Sequence, residues 1–349
     1  INWMFRGGPA GGACEGGLTY EQRQALFNAL DSVENSLDGK PADSVAIMVA
    51  AFLNTRSEID SAGVINSISV WAWFTDGWIL SIPNNRIPSD TLASINRNWE
   101  QVENDVPADF VLPKRRFPEL YDPTKQPLPQ LSSASVDNYE LPSSIQARVA
   151  STLGTPPFTI GAPIIKTLLE NNGYVTVPFT GSVASLLNVQ NDGIFYMDAH
   201  GGSCPDTSGT NHLAVWTANV RSAANDVAFK SLLDRGELVL MWAKDHNPTN
   251  GSIQVHARYA FTGKFVAQYM YFVPNSFIFI NACQTDSVAS LRQGFFTAGA
   301  SAFCGWSRIV NDGGANRAAE FLFDRMLGAN SSTLTPKETP KQRPFDIDL

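Results

Sequence analysis

The chain has 349 residues, which is enough for two domains or one large one and for a sizeable core without covalent staples. Hydrophobic residues make up 44% and charged residues 17% of the sequence, a composition typical of soluble globular proteins. The net charge of −8 and the absence of any long uncharged apolar run argue against a nucleic-acid partner and against a membrane span.

The first hundred residues contain two helical patterns and one hairpin pattern. Apolar residues recur at helical spacing within residues 18–38 and predict an amphipathic helix. The apolar run "VAIMVAAFLNT" fits either a buried helix or a strand. Two β-rich runs flank Asp76-Gly77, a dipeptide suited to a tight hairpin turn, and we expect Trp71, Trp73 and Trp78 to pack on that sheet.

Composition divides the chain into four predicted segments. Residues 1–104 form an N-terminal α+β module that holds the helix and the Trp-rich hairpin. Residues 105–144 are rich in proline and serine and are typical of a connector. Residues 145–330 form the main domain, and residues 331–349 are a proline-rich tail.

The main domain alternates between strand and helix patterns. Predicted strands are "IQARVASTLG", "YVTVPF", "GIFYMDA", "SFIFINA" and "ASAFCGW", and predicted helices are "GAPIIKTLLENNG", "SVASLLNV", "SVASLRQGFFTAG" and "GANRAAEFLFDRML". An insertion with "GELVLMWAK" and the helix-like "TGKFVAQYM" precedes the fourth strand. This order predicts an α/β fold with a mostly parallel sheet and helices on both faces. Ligands of such sheets bind at the carboxyl ends of the strands.

Two apolar strands end in residues that can carry chemistry. "GIFYMDAHGGS" (193–203) breaks at His200, and "FIFINACQTDS" (277–287) breaks at Cys283. Taken singly, Cys283 fits a small buried hydrophobe and His200 fits a turn residue. Because both fall at carboxyl ends of predicted parallel strands, we interpret them as one site.

The chemistry available to this pair is thiol-based nucleophilic attack. A thiolate needs a nearby base or positive dipole, and we expect His200 to be the base and a helix starting just after Cys283 to supply the dipole. Gly201 permits a tight turn, so the N–H groups of Gly201 and Cys283 form a candidate oxyanion hole.

A strand ending in His-Gly followed by a strand ending in Ala-Cys resembles the caspase-like cysteine peptidases, which include gingipains, clostripain, legumain, metacaspases and separase. "GFFTAGASAFCGWS" resembles the region downstream of the family's nucleophile, so the similarity covers roughly residues 145–328. The resemblance implies a caspase-like fold with His200 as general base and acid, Cys283 as nucleophile and a polypeptide substrate. We expect a secreted or cell-surface protein on the same basis.

The resemblance also suggests residues for the substrate pocket. Relatives that cleave after Arg or Lys often carry an acid two residues before the cysteine, where this chain has Asn281. In gingipain-like members a tryptophan lines the primary pocket, and Trp306 stands at a similar place. Asp312, Asp206 and Asp198 are the remaining candidate pocket acids. Asp198 also fits an orienting residue for His200 or a carboxylate simply hydrogen-bonded at a strand end.

Several alternatives remain open at this point. Cys204, four residues after His200, allows a zinc hypothesis, although a catalytic zinc site needs three closely grouped ligands. No nucleotide-binding glycine motif follows a strand, and we expect no cofactor and no metal. A catalytically inactive caspase-like domain that binds a partner, or a thiol hydrolase or transferase acting on non-peptide substrates, would share the same motifs. The sequence does not indicate an oligomeric state.

The proline-rich connector contains the basic cluster Lys114, Arg115 and Arg116. It fits a solvated surface cluster, and it also fits a site of self-cleavage, because exposed connectors are open to proteolysis.

Overall fold

The computed structural model describes residues 17–65, 69–83, 142–153, 161–206, 208–246, 253–310 and 312–327. Cys14, the connector up to residue 141, its cluster Lys114–Arg116 and the tail 331–349 lie outside the described residues. Predictions on these segments therefore stay predictions.

The described helices are α1 (Tyr20–Ser36), α2 (Ala42–Leu53), α3 (Gly161–Asn171), α4 (Val183–Leu186), α5 (Ala223–Ala228), α6 (Lys230–Asp234), α7 (Gly263–Tyr269), α8 (Ala289–Thr297) and α9 (Asp312–Met326). The described strands are β1 (Ile59–Ile65), β2 (Ser69–Phe74), β3 (Ile79–Pro83), β4 (Gln146–Ser151), β5 (Val175–Thr176), β6 (Gln190–Asp198), β7 (Gly201–Pro205), β8 (Asn211–Val220), β9 (Leu238–His246), β10 (Ile253–Thr262), β11 (Tyr271–Asn281) and β12 (Ala302–Cys304). The protein is a mixed α/β structure built on two sheets.

The first sheet has five parallel strands in the order β5-β4-β6-β11-β12. Counted along the chain, this is the order 2-1-3-4-5 of a doubly wound sheet. The central strands β6 and β11 are apolar and almost wholly buried toward their carboxyl ends, as expected for a sheet covered on both faces.

Alternate residues of β6 face two different apolar clusters. Ile194 and Tyr196 pack with Phe323 and other residues of α3 and α9 on one face. Phe195 and Met197 face the larger cluster, which also contains the apolar side chains of α7 and α8 and of the second sheet. The two-residue period of a strand thus places one sheet between two cores.

The second sheet has seven strands in the order β1-β2-β3-β9-β10-β8-β7. The N-terminal strand β3 pairs in parallel with β9, with Leu80 opposite Leu240. The sheet curls so that β7 returns to contact β2 and β3, and the Trp73 indole N–H donates to the Pro205 carbonyl at 2.9 Å. The strands predicted as an N-terminal module therefore share a sheet with those of the predicted insertion.

The N-terminal helix and hairpin form as their local sequence signals indicate. Thr19 and Gln22 make a reciprocal capping box at the start of α1. Gly77 adopts a φ of +89° in the turn between β2 and β3. The apolar run "VAIMVAAFLNT", which fits either a helix or a strand, is helical and forms most of α2. Trp78 is buried beneath the Arg23 guanidinium, whose carbon lies 3.8 Å from the indole centroid.

The predicted elements of the main domain are all found, with shorter strands at β5 and β12 than their patterns indicate. Strands β1, β7, β8 and β10 were not predicted, and the sequence of β9 was noted only as part of the predicted insertion. Within the described part of the chain, no helix combines the length and apolarity needed to cross a bilayer.

A close contact between α7 and α8 allows a stability test of this packing. An added Cβ at Gly294 would lie 2.3 Å from the Gly263 carbonyl oxygen, so the helices approach at their backbones. We expect Gly294→Ala to destabilise the protein by about 1–3 kcal/mol in urea unfolding, because overpacking outweighs alanine's helix propensity.

The matched control is Gln293→Ala, one residue earlier and exposed, which we expect to change stability by less than about 0.5 kcal/mol. A stabilising Gly294→Ala would contradict the backbone contact.

Candidate active site

The carboxyl ends of β6 and β11 lie side by side. Asp198 and Asn281 are register partners at the last residues of these parallel strands, and the Ala199 N–H donates to the Asn281 carbonyl at 3.3 Å. His200 and Cys283 each follow two residues after this pair. The structure therefore brings the two predicted catalytic segments to one edge of the parallel sheet.

The backbone after His200 touches the backbone of Cys283. A Cβ added to Gly201 would lie 2.2 Å from the Cys283 carbonyl oxygen. No side chain other than hydrogen fits between the two segments in this arrangement. The requirement for glycine here is thus a close approach rather than an unusual φ.

The His200 ring packs on Trp216 of β8. The two ring centroids are 4.7 Å apart, and the backbone N–H of Trp216 donates to the His200 carbonyl at 2.9 Å. Trp216 is fully buried and also lies 4.5 Å from the Arg258 guanidinium carbon. A rigid aromatic surface therefore supports the half-buried imidazole from the side of the second sheet.

Gly201 is placed so that its N–H points away from β8. In the antiparallel β7–β8 ladder, His200 and Trp216 form a hydrogen-bonded pair, and Gly201 lies opposite Val215 in the next pair. Because hydrogen-bonded and non-bonded pairs alternate, the Gly201 N–H is directed away from β8 and takes no part in that ladder. This orientation is compatible with the proposed oxyanion donor.

Cys283 begins a turn rather than standing directly before a helix. The next helix, α8, begins at Ala289, six residues after Cys283 and too far away to direct its N-terminal dipole at the thiol. The expectation of a helix dipole at the thiol is therefore wrong. The hydroxyl of Thr285 organises the turn instead: it donates to the carbonyls of Ile280 and Ala282 and accepts from the Trp306 N–H.

The thiol of Cys283 is held as a neutral group. Its Sγ donates to the Val310 carbonyl at 3.5 Å. Burial raises the pKa of Cys283 above its ordinary value, and backbone hydrogen bonds at Val310 and at Cys283 itself act in the opposite direction. At neutral pH the resting thiol is protonated, so its nucleophilic use requires a base that removes the proton during attack.

Asn281 joins two other candidate pocket residues, Asp198 and Trp306, into one network. Its amide nitrogen donates to Asp198 Oδ1 at 2.7 Å and to Asn316 Oδ1 at 3.1 Å, and its amide oxygen accepts the Trp306 indole N–H at 2.7 Å. The Tyr196 hydroxyl also hydrogen-bonds to Asp198. The structure thus brings together Asn281, Asp198 and Trp306 on the face of the sheet covered by α3 and α9.

The other candidate acids lie in different surroundings. Asp312 is the first residue of α9, and its side chain is outside the described set. Asp206 lies at the β7–β8 turn, where it bonds to His212 at 2.8 Å and to Lys264 at 3.1 Å. Although burial opposes it, hydrogen bonds from Ser208, His212 and Lys264 lower the pKa of Asp206. Asp206 is therefore committed to a local ion cluster.

The other two cysteines in the described part of the chain, Cys204 and Cys304, do not join the site. Cys204 is fully buried, and burial raises its pKa to about 12. Cys304 is partly buried in β12, where burial and the Asp286 charge raise its pKa. Across the residues described, no group of three His, Cys, Asp or Glu side chains could hold a metal ion.

Sequence patterns missed several residues around the site. Gln284 has a φ of +62°, which no composition or periodicity signal indicates. Trp216 and Asn316 reach the site from β8 and α9, far away in sequence. Only the alternation of "HLAVWTANV" could have placed Trp216 on a buried strand.

Comparisons with known proteins add no family assignment. No protein-family model matches the chain, and a search of curated proteins finds no match.

The Asn281 network predicts the effect of placing an acid at this position. In Asn281→Asp a second carboxylate would replace the amide donor beside buried Asp198, so we expect a loss of about 3–5 kcal/mol at pH 7 in urea unfolding. The paired carboxyls would have raised pKa values in the folded state, so protonation favours folding. The deficit should therefore shrink as the pH falls from 7 toward about 4.

Asn275→Asp is the matched control, because it makes the same change at an exposed position of β11. It should leave stability nearly unchanged across this pH range. An Asn281→Asp protein as stable as wild type at pH 7 would show that the amide is not needed as a donor.

Proposed function

We propose that the protein is a cysteine peptidase of the caspase-like type, which cleaves polypeptides through Cys283 and His200. The observation that carries the proposal is the adjacent position of both residues, at equivalent distances past the carboxyl ends of β6 and β11. The 2-1-3-4-5 order of the parallel sheet supports it, because sheets of this kind bind ligands at that edge.

The proposed reaction begins with the neutral thiol. As Cys283 Sγ forms a bond to the peptide carbonyl carbon, its proton passes to His200. The Gly201 and Cys283 N–H groups stabilise the resulting oxyanion. His200 then gives the proton to the amine as the C–N bond breaks, which leaves a thioester on Cys283.

Water completes the cycle by the same route. His200 accepts a proton from water as its oxygen bonds to the thioester carbon, and the C–S bond then breaks. The peptide acid leaves and the thiol regains its proton. Trp216 supports this role by fixing the imidazole plane against a buried surface.

Trp306 and Asn281 are proposed to shape the pocket for the residue before the cleaved bond. Asn281 uses its amide oxygen to hold the Trp306 indole and its amide nitrogen to bind Asp198. The Trp306 side chain, proposed as one wall of the pocket, is therefore held in position by the neutral amide of Asn281. An aromatic wall of this kind can pack an aliphatic stem or hold a cation over its face.

One observation favours the second candidate, a catalytically inactive domain that binds a partner. The pKa of Cys283 is raised by burial, and a protonated thiol is unreactive unless a base acts on it. The two candidates differ in whether His200 activates Cys283, which a labelling experiment measures directly.

The test of function combines peptide cleavage with alkylation of Cys283. In a peptide-library assay, Cys283→Ala should lower the cleavage rate at least about a thousandfold. Iodoacetamide labelling of Cys283, followed by mass spectrometry, should be slower in His200→Gln at neutral pH. Its pH dependence should move toward alkaline values, where the thiol with its raised pKa ionises unaided.

Cys304→Ala serves as the matched control, since that thiol is also partly buried but lies in β12. It should keep wild-type cleavage. Peptide turnover that survives in Cys283→Ala, or Cys283 labelling unaffected by His200→Gln, would reject the peptidase proposal.

The role of Trp306 gives a separate prediction. Trp306→Ala should lower kcat/KM for the preferred residue by about 10–200-fold, the range for losing contacts in an apolar pocket. Trp306→Phe keeps a ring but removes the indole N–H that binds Asn281, so its kcat/KM should lie between those of wild type and Trp306→Ala.

The control for Trp306 is Trp71→Ala, which removes a tryptophan from the β2 surface. An equal loss of activity in both alanine variants would point to general loosening of the fold and not to a pocket wall.

A further inference from the structure

The residue after Cys283 adopts a backbone conformation that its side chain disfavours. Gln284 has a φ of +62°, in the left-handed region where residues with a Cβ are uncommon. The other non-glycine residues with positive φ among those described are Asn191 and Asn275, a residue type that tolerates it well. Glycine would relieve the strain at position 284, so the presence of a glutamine there requires an explanation from its side-chain contacts.

The side chain of Gln284 provides that reason by reaching the N-terminal strands. Its amide oxygen accepts a hydrogen bond from the Ser69 hydroxyl at 3.1 Å, and both residues are buried. Ser69 is the first residue of β2, 215 positions away in sequence. A single buried bond thus ties the turn that carries Cys283 to the second sheet.

The backbone of the same residue is fastened on its other side. The Gln284 N–H donates to the Arg308 carbonyl at 3.0 Å, and the Ser287 N–H donates back to the Gln284 carbonyl at 2.8 Å. Cys283 therefore precedes a residue held from two directions. Residues kept in strained conformations by their surroundings are concentrated at functional sites.

We propose that Ser69 and Gln284 are positioning residues that hold the Cys283 thiol in its reactive orientation. This inference rests on the proposed role of Cys283 as nucleophile. It assigns a function to β2, which lies outside the region that resembles caspase-like peptidases. The hydrogen bond fixes the Gln284 side chain, and the left-handed backbone of Gln284 sets the direction of the Cys283 carbonyl and side chain.

The test measures the Cys283 alkylation rate and peptide kinetics in the same full-length variants. Ser69→Ala should slow iodoacetamide labelling of Cys283 and lower kcat by about tenfold with KM little changed, the effect of one lost buried hydrogen bond. Ser69→Thr keeps the hydroxyl and should restore both rates to within about threefold of wild type.

Gln284→Gly relieves the backbone strain and removes the side chain. Cys283 in this variant should be alkylated about as slowly as in Ser69→Ala, although the backbone at position 284 is unstrained. The double variant Ser69→Ala/Gln284→Gly should show no further loss, because both changes break the same hydrogen bond. Additive losses in the double variant would overturn the proposed shared contact.

Thr262→Val is the matched control. The Thr262 hydroxyl is also buried in the second sheet, but it donates to the Gly236 carbonyl at 3.0 Å, away from the turn. The control should lose stability in urea without slower Cys283 labelling. Equal slowing in Thr262→Val and Ser69→Ala would show a general loss of stability and overturn the positioning role.

The experiment tests the positioning proposal and the peptidase proposal separately. Cys283 labelling that depends on the Ser69 hydroxyl, in a protein that cleaves no peptide, supports positioning and rejects peptidase activity. Peptide cleavage with wild-type rates in Ser69→Ala supports the peptidase and overturns the positioning proposal.

Discussion

The contact between Gly201 and the Cys283 carbonyl is the constraint on which the arrangement of the two sheets depends. The chain leaves the parallel sheet at Asp198 and enters the curled sheet at Gly201, so two residues make the whole crossing. A side chain at Gly201 would collide with the Cys283 carbonyl oxygen, which lies 2.2 Å from an added Cβ. His200 sits within this crossing. Its ring consequently meets Trp216 of one sheet while its backbone borders the end of β11 in the other.

Local patterns were sufficient for most of the parallel sheet because most of its strand–helix units are local, although strands of the second sheet separate β6 from β11 along the chain. Buried strands followed by amphipathic helices signal a βαβ order within short windows, and the order alone places His200 and Cys283 at one edge. The second sheet gave no such signal. Its pairing of β3 with β9 joins residues about 160 positions apart, and the short run of β7 carries two glycines and a proline. No periodicity could predict where these strands meet.

Within the candidate site, too, residue types could be read from the local sequence, but contacts between residues distant in sequence could not. From the sequence, Asn281 was identifiable as a neutral residue where caspase-like peptidases that cleave after Arg or Lys often carry an acid, but not as the centre of a network. The amide suits that place because it donates and accepts at once: it binds Asp198 with its nitrogen and Trp306 with its oxygen. A carboxylate offers acceptors only. The choice of residue at position 281 therefore has a structural cause that holds whatever the pocket binds.

Cys283 and Gln284 each have an unfavourable feature that the stability of the fold does not explain. Cys283 keeps a polar thiol in a partly buried site where its pKa rises, and Gln284 keeps a left-handed backbone that glycine would adopt without strain. Departures from local preference in natural proteins concentrate where function requires them. Since the neutral thiol lacks a helix dipole, the nucleophilic role proposed for it would depend on a base and on orientation. The imidazole supported by Trp216 can supply the first, and the turn fastened at Ser69 and Arg308 can supply the second.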